Sequence, residues 1–336
     1  MSYRYIDTLN QYILQVWSLA EIFQYSGPLD TSKILRARLS ARAANTVKTY
    51  RAGFNMWKNF AVEHKLKYFP VNQVEFEIFL TEKVEQGVAF QSLKNVIHAV
   101  NHFHNLFYLK PIQVDSKVLD FCQRFCRKVD NRKRPLFKSE FNTIVRLNTH
   151  RFTDFKMLRD ISIVIFAFIG FLRFDDLSQL RLCDVDIFGS SVKLKVFEAK
   201  SDKHYAGQKV EFKLSARCYD IVKSYVKLAK FSKIGWHKND VFFFMPFKNK
   251  EPCFYEKLSY KECRLCILKL CKAAGISTDS IGTHSLRIGG CSEVSRLGVP
   301  SYLIDIHGRW APGSRARAGY QRITPQEQFL ISDVLK

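Results

Sequence analysis

The sequence predicts a mainly α-helical chain with a small antiparallel β-sheet, in two domains. Three observations predict it. Apolar residues recur at three- and four-residue steps through residues 36–129 and over much of 137–336, the mark of helices with one buried face. The period changes to two only between residues 183 and 214. A basic run ending in proline, residues 127–135, separates the halves. A length of 336 residues fits two domains. We divide the chain into an N-terminal extension (1–35), a helical domain (36–129), a basic linker (130–136) and a second domain (137–336).

In the extension, Tyr12 to Phe23 is apolar-periodic and stops at Ser26-Gly27-Pro28. The first helix of the helical domain follows cap residues between Ser40 and Thr46. Val47, Tyr50, Phe54, Trp57, Phe60 and Ala61 form its apolar face, and Arg42, Lys48, Arg51 and Lys58 the opposite one. A second helix follows Pro70, with Val74, Phe76, Ile78, Phe79 and Leu80. A third spans Phe90 to Phe107; His98, His102 and His104 along it are phosphate contacts or ordinary core and surface residues. A fourth holds Val118, Leu119, Phe121, Cys122 and Phe125. The expectation is a four- or five-helix bundle with one basic face. In the linker, Arg132, Lys133 and Arg134 track a phosphate backbone, form a targeting patch or are merely solvated.

The second domain opens at Phe137 to Phe141 and continues into a buried helix, Asp160 to Phe171. Arg173 then shares a stripe with Asp176, Leu177 and Leu180. An Arg at the end of an apolar helix needs an anion, either Asp175 or Asp176 or a substrate phosphate. Cys183–Phe188, Val192–Phe197 and Gln208–Leu214 read as three strands. The loop between the last two carries Lys200, Lys203 and His204. Three further helices fill 215–275. Thr283 then caps a helix from His284; Gly298 ends it, Pro300 begins the next and Gly308 stops that one.

Composition narrows the function. Lys and Arg number 53 against 31 Asp and Glu, a formal charge of +22 with basic residues in nearly every segment. A broad basic surface suits a nucleic acid better than a small acidic ligand. No secretory signal is visible, and the longest apolar run, Ile161–Leu172, is too short to span a bilayer, so no membrane partner is expected. Nine cysteines make no closed disulfide set; Cys263 and Cys266 lie in a helical pattern without partners at zinc spacing, so we expect packed thiols and no metal. Neither a GxGxxG nor a Walker pattern is present, so no cofactor is expected.

The chemistry-bearing stretch runs from His284 to Tyr320, HSLRIGGCSEVSRLGVPSYLIDIHGRWAPGSRARAGY. His284 and Arg287, three apart, share the first turn of a helix, where an anion is already favoured. Together with Leu172-Arg173-Phe-Asp-Asp176-Leu-Ser-Gln-Leu180, Lys200 in its loop and Trp310, this set resembles the active site of the tyrosine recombinases, the lambda-integrase and Cre-like family. The wording THSLRIGG and HGRW resembles recombinases of eukaryotic mobile elements, the DIRS, Ngaro and Crypton groups. The resemblance covers residues 40–336.

The resemblance implies a helical core-binding domain and an α+β catalytic domain that clamp double-stranded DNA in a C shape. It implies site-specific recombination or integration through a 3′-phosphotyrosine on Tyr320, without metal or cofactor. Arg173 and Arg287 would hold the phosphate, Lys200 would be the general acid, His284 an acid/base, Trp310 a donor and Asp176 an orienting residue. His307 is the alternative to Trp310, and the gap from Trp310 to Tyr320 is one residue longer than the family's usual one. Arg42, Lys48, Arg51, Arg132, Lys133, Arg134, Lys203 and Arg315 are the expected DNA contacts. A homo-tetramer on paired sites, a dimer on each, is the implied assembly, with the apolar Ile323–Lys336 docking on a neighbour or on its own domain. The compartment would be nuclear in a eukaryote, otherwise cytoplasmic with DNA. A topoisomerase IB-like nicking-closing enzyme, or a DNA-binding regulator that does not use its catalytic set, is the alternative.

Overall fold

The computed structural model describes residues 37–38, 44–126, 132–147, 153–196, 208–231, 240–311 and 316–320. The N-terminal extension, Arg42, Lys200, Lys203, Arg315 and the apolar C-terminal segment lie outside them. The chain divides into two compact units, Met1–Asp130 and Asn131–Lys336.

The first unit contains α1 (Ala44–Glu63), α2 (Gln73–Glu85), α3 (Phe90–Leu106) and α4 (Ser116–Phe125). α1 lies along α3, and Gly53 lets them approach: a Cβ there would be 3.1 Å from both Ala99 Cβ and Asn95 O. Trp57 anchors the core, with Phe76, Phe79 and Phe60 ring centroids at 5.3, 5.5 and 5.9 Å. Asn72 caps α2 by accepting the Val74 and Glu75 N–H groups, and Asp115 caps α4. On α2 the buried face is Phe76, Phe79, Leu80 and Val84, whereas Val74 and Ile78, expected inside, are exposed. On α3, His102 and His104 are buried. His104 Nε2 accepts the Val71 N–H at 3.1 Å and Nδ1 donates to Lys110 O at 2.8 Å. Burial lowers its pKa, so it is a neutral brace of the core and not a phosphate contact. Lys48 is exposed on α1 and Arg51 half-buried.

The second unit is built around α6 (Phe155–Ile169), whose residues 158–168 are all buried. Around it pack α5 (Lys138–Leu147), α7 (Phe174–Gln179), α8 (Ala216–Phe231), α9 (Tyr260–Ala273) and α10 (Thr283–Arg296); α11 (Ser301–Gly308) packs on α10. The sheet is antiparallel in the order β1 (Val185–Phe188), β2 (Ser191–Val196), β3 (Gln208–Lys213). Val192 lies opposite Phe212 and Leu194 opposite Val210, so alternate residues of β2 and β3 face the core. Residues 182–184, of which Cys183 and Asp184 were expected in the first strand, form a 3-10 turn. Where three helices were expected, the described residues hold α8, the short hairpin Phe247–Lys248 with Glu251–Pro252, and α9. The α10 cap is Gly282, not Thr283: Gly282 N–H donates to Ser285 Oγ at 3.0 Å. Cys263 and Cys266 are buried within α9, where the Cys266 thiol donates to Cys263 O at 3.0 Å. Among the described residues no helix is long and apolar enough to cross a membrane.

Residues 132–136, expected as a linker, are held by the second unit. Arg134 N–H donates to Ser280 O and Leu136 N–H to Ser285 O, at 3.0 and 2.9 Å. The Arg134 guanidinium, expected on DNA, forks onto Glu140 at 3.0 Å and donates to Ser277 O at 2.7 Å. A charge held bidentately is not offered to a phosphate. The Lys133 stem crosses Gly282 at the head of α10, and Arg132 is exposed.

Candidate active site

Three chain breaks meet beside α10. The first is the end of α6. Gly170 closes the helix and Phe171 turns left-handed, φ +50°, which aims its carbonyl toward α10. Such a backbone costs an L-residue about 1–2 kcal/mol, so the surroundings must enforce it. Arg173 then precedes α7, its N–H donating to Asp176 Oδ2 at 2.8 Å. The second break is the start of α10, with His284 and Arg287 on its first turns. The third is the end of α11, where Arg309 is left-handed, φ +56°, and Trp310 folds back over Gly308.

Arg287 is the centre. It is fully buried, donating through Nη1 to Phe171 O and through Nη2 to Gly308 O at 2.6 Å. Its Cζ lies 4.4 Å from the Trp310 ring centroid and 5.0 Å from that of Tyr320. The Trp310 and Tyr320 centroids are 5.2 Å apart, and those of His284 and Tyr320 6.2 Å. Tyr320 closes the 3-10 turn Arg317–Tyr320; Ser292 Oγ donates to its carbonyl at 3.0 Å, and Arg317 pairs with Asp305 at 2.8 Å. The structure thus brings Arg173, Asp176, His284, Arg287, Trp310 and Tyr320 into one cluster. Lys200, the remaining member of the expected set, is outside the described residues.

The electrostatics are lopsided. Guanidiniums of Arg173, Arg287 and Arg309 crowd around one buried carboxylate, Asp176, which pairs with Arg309 at 2.6 Å. Burial first, then Arg173 and Arg309, pull the Arg287 pKa down to about 9, still charged at neutral pH. Desolvation, then Arg287 and Arg173, lower that of His284, the outermost and still exposed member. Among the described residues, three buried donors of this cluster have no hydrogen-bond partner: Arg173 Nη1, Arg287 Nε and Trp310 Nε1. Excess buried positive charge beside spare donors is the condition for binding an anion.

Trp310 and His307 take different places. Trp310 is buried against Tyr320 and Arg287. His307 Nε2 is 2.7 Å from Ile169 O, and its ring lies perpendicular to that of Phe171 with centroids 4.6 Å apart. Sequence reasoning missed Arg309, because an arginine beside a tryptophan at a helix end reads as surface charge. It also missed Ser292, which looks like any small helix residue.

No family model matches the sequence, and no curated protein matches it. Solved structures do. The XerH site-specific recombinase bound to palindromic difH substrate, a post-cleavage complex, aligns over 97% of this chain and 89% of its own, with TM-score 0.63 and 13% identity. Its pre-cleavage complex gives 0.58 and 15%, with the same coverage. The Tn1549 transposon integrase in complex with circular intermediate DNA aligns over 98% of this chain and 99% of its own, with 0.55 and 13%. The chain therefore has the fold of the tyrosine recombinases and integrases, mainly helical with a small antiparallel sheet, as the motif resemblance implied.

Proposed function

We propose that this chain is a site-specific DNA recombinase or integrase that cuts and rejoins DNA through a 3′-phosphotyrosine on Tyr320. The observation that carries the reading is Tyr320, half-buried, set against His284 and the buried Arg287 and Trp310 in a positively charged cluster with spare donors. The structural neighbours, two solved with difH substrate and one with circular intermediate DNA, support the same reading.

In this reading the Tyr320 Oη attacks a backbone phosphorus. Its proton passes to the His284 imidazole, directly or through water; the lowered pKa of His284 keeps that ring neutral and so free to accept it. The P–O5′ bond breaks, and the leaving oxygen takes a proton, from Lys200 by the family resemblance. Arg173 and Arg287 receive the charge that grows on the non-bridging oxygens, Arg173 through Nη1 and Arg287 through Nε, the buried donors without a partner among the described residues; fixed cationic donors suit this and need no metal. The phosphotyrosine conserves the bond, so attack by a 5′-hydroxyl reseals the strand. The exposed cations Lys48 and Arg132 would contact the backbone, with a homo-tetramer assembling on two paired sites.

A nicked suicide duplex tests the proposal. Wild type should form a covalent protein–DNA complex in EDTA, and Tyr320→Phe should form none. A complex that persists in Tyr320→Phe, or no complex on any candidate site, would overturn it. Exchange between two paired sites distinguishes a recombinase from a nicking-closing enzyme.

A further inference from the structure

The site contains an ion pair that the proposed chemistry does not use, and it joins the ends of α6 and α11 to the head of α7. Asp176 and Arg309 are both buried and meet at 2.6 Å. The same carboxylate oxygen, Asp176 Oδ2, accepts the backbone N–H of Arg173 at 2.8 Å. The same nitrogen, Arg309 Nη2, reaches Phe171 O at 3.3 Å, the carbonyl to which Arg287 also donates. The backbone on either side of Arg309 completes the pattern. Gly308 O accepts from Arg287 at 2.6 Å, and Trp310 begins the stretch that leads to Tyr320.

We propose that Arg309 and Asp176 form the positioning clamp of the active site, fixing Arg173, Arg287 and Trp310 relative to one another. The inference rests on the function proposed above, but its geometry can be tested without DNA. Arg309 bridges the ends of α6 and α11 through one guanidinium, and Asp176 ties that guanidinium to the head of α7. Without the pair, Phe171 O and Gly308 O are no longer held at one spacing, and that spacing holds Arg287. The left-handed turn at Arg309 then loses its side-chain anchor and keeps its backbone bonds, Arg309 N–H to Ile306 O and Trp310 N–H to Asp305 O, so Trp310 is held less firmly beside Tyr320. Arg309 is a positioning residue in this account and does not touch the phosphate.

Two readouts test the clamp. The emission of Trp310, isolated from the other three tryptophans by subtracting the matching Trp310→Phe protein, reports its burial in free protein. Arg309→Gln should shift that emission to the red. It should slow single-turnover cleavage of the suicide duplex on the order of a hundredfold, as displacement of a reacting group by about 1 Å does. DNA affinity, spread over many phosphates, should stay within about threefold. Asp176→Asn should behave alike, and the double variant should be no worse than the worse single one, because both remove one bridge. Arg309→Lys should restore the emission and bring cleavage to within about tenfold of wild type. Losses that multiply in the double variant would overturn the clamp in favour of separate contacts. So would an unchanged Trp310 emission beside a hundredfold rate loss. Should Arg309→Gln not fold, Arg309→Lys decides the matter, since loss of both emission and cleavage there overturns the clamp. If wild type forms no Tyr320-linked complex, the function fails, while the emission still decides the clamp.

Discussion

Replacing Arg287 by methionine separates a catalytic arginine from a structural one, and the structure gives opposing effects of known size. The substitution orphans Gly308 O, a loss of about 1–3 kcal/mol. Phe171 O keeps Arg309 as a donor. The loss of the cation over the Trp310 ring, at 4.4 Å, costs up to about 2 kcal/mol more. Against this, a buried cation with no carboxylate of its own disappears, a relief of several kcal/mol, and so does its repulsion from Arg173 and Arg309. The two sides nearly cancel, leaving a net change within about 2 kcal/mol. For a unit the size of Asn131–Lys336 that is a Tm change within about 8 °C. Cleavage responds differently. One preorganised donor to a developing oxyanion is worth about 3–4 kcal/mol, so the loss of this fork should slow cleavage at least about a hundredfold. Thermal melting, gel-shift binding and single-turnover cleavage measure the three quantities on one preparation. A Tm fall above about 15 °C, with binding and cleavage lost together, would refute the reasoning, because Arg287 would then be a structural ion.

Two further outcomes follow from the same geometry. Burial and the neighbouring arginines lower the pKa of His284, so as the proposed base it is already neutral at pH 7. Cleavage should be flat from pH 6.5 to about 8, fall below 6.5 as His284 gains a proton and fall toward pH 9 as Arg287 loses one, and His284→Ala should remove the acid limb at a lower overall rate. The linkage has the same sign for stability. His104 has a lowered folded pKa, so the unfolded chain binds the extra proton. The first unit should lose stability as pH falls below 6.5 and gain none above it, as chemical denaturation across that range would show. On α10, a Cβ at Gly289 would stand 1.9 Å from Leu136 O, a backbone atom that cannot rotate away. Gly289→Ala gains about 1 kcal/mol of helix propensity but should lose about 1–3 kcal/mol or more to overpacking. It should lower Tm and shift the helix that carries His284 and Arg287, slowing cleavage, whereas full activity at unchanged Tm would contradict the packing described.

Much of this was legible in the sequence, and the failures have physical causes. Local periodicity places α1 and α3 well, because one apolar face per helix suffices there. On α2 it misleads: Val74 and Ile78 are apolar yet exposed, since burial depends on what a face meets and not on the residue alone. In the same way, Arg134 reads as a phosphate contact although Glu140, six residues on, holds its guanidinium; the docking of this segment against Ser277 and Ser280, which sets that fork in place, has no local signature. The motif order brought Arg173, His284, Arg287, Trp310 and Tyr320 to attention. It could not supply Arg309, whose role depends on a left-handed turn that folds the chain back onto Asp176. Nor does it separate Trp310 from His307, which are three residues apart; the turn directs one to Tyr320 and the other to Ile169.

The holders of Arg287 are main-chain oxygens, those of Phe171 and Gly308. No codon change deletes a carbonyl. Side chains around this arginine can therefore drift over long lineages while its cradle persists, provided that the two turns keep their shape. The position of the deepest charge in this fold is thus written in the bends of two turns more than in the identity of the side chains around it.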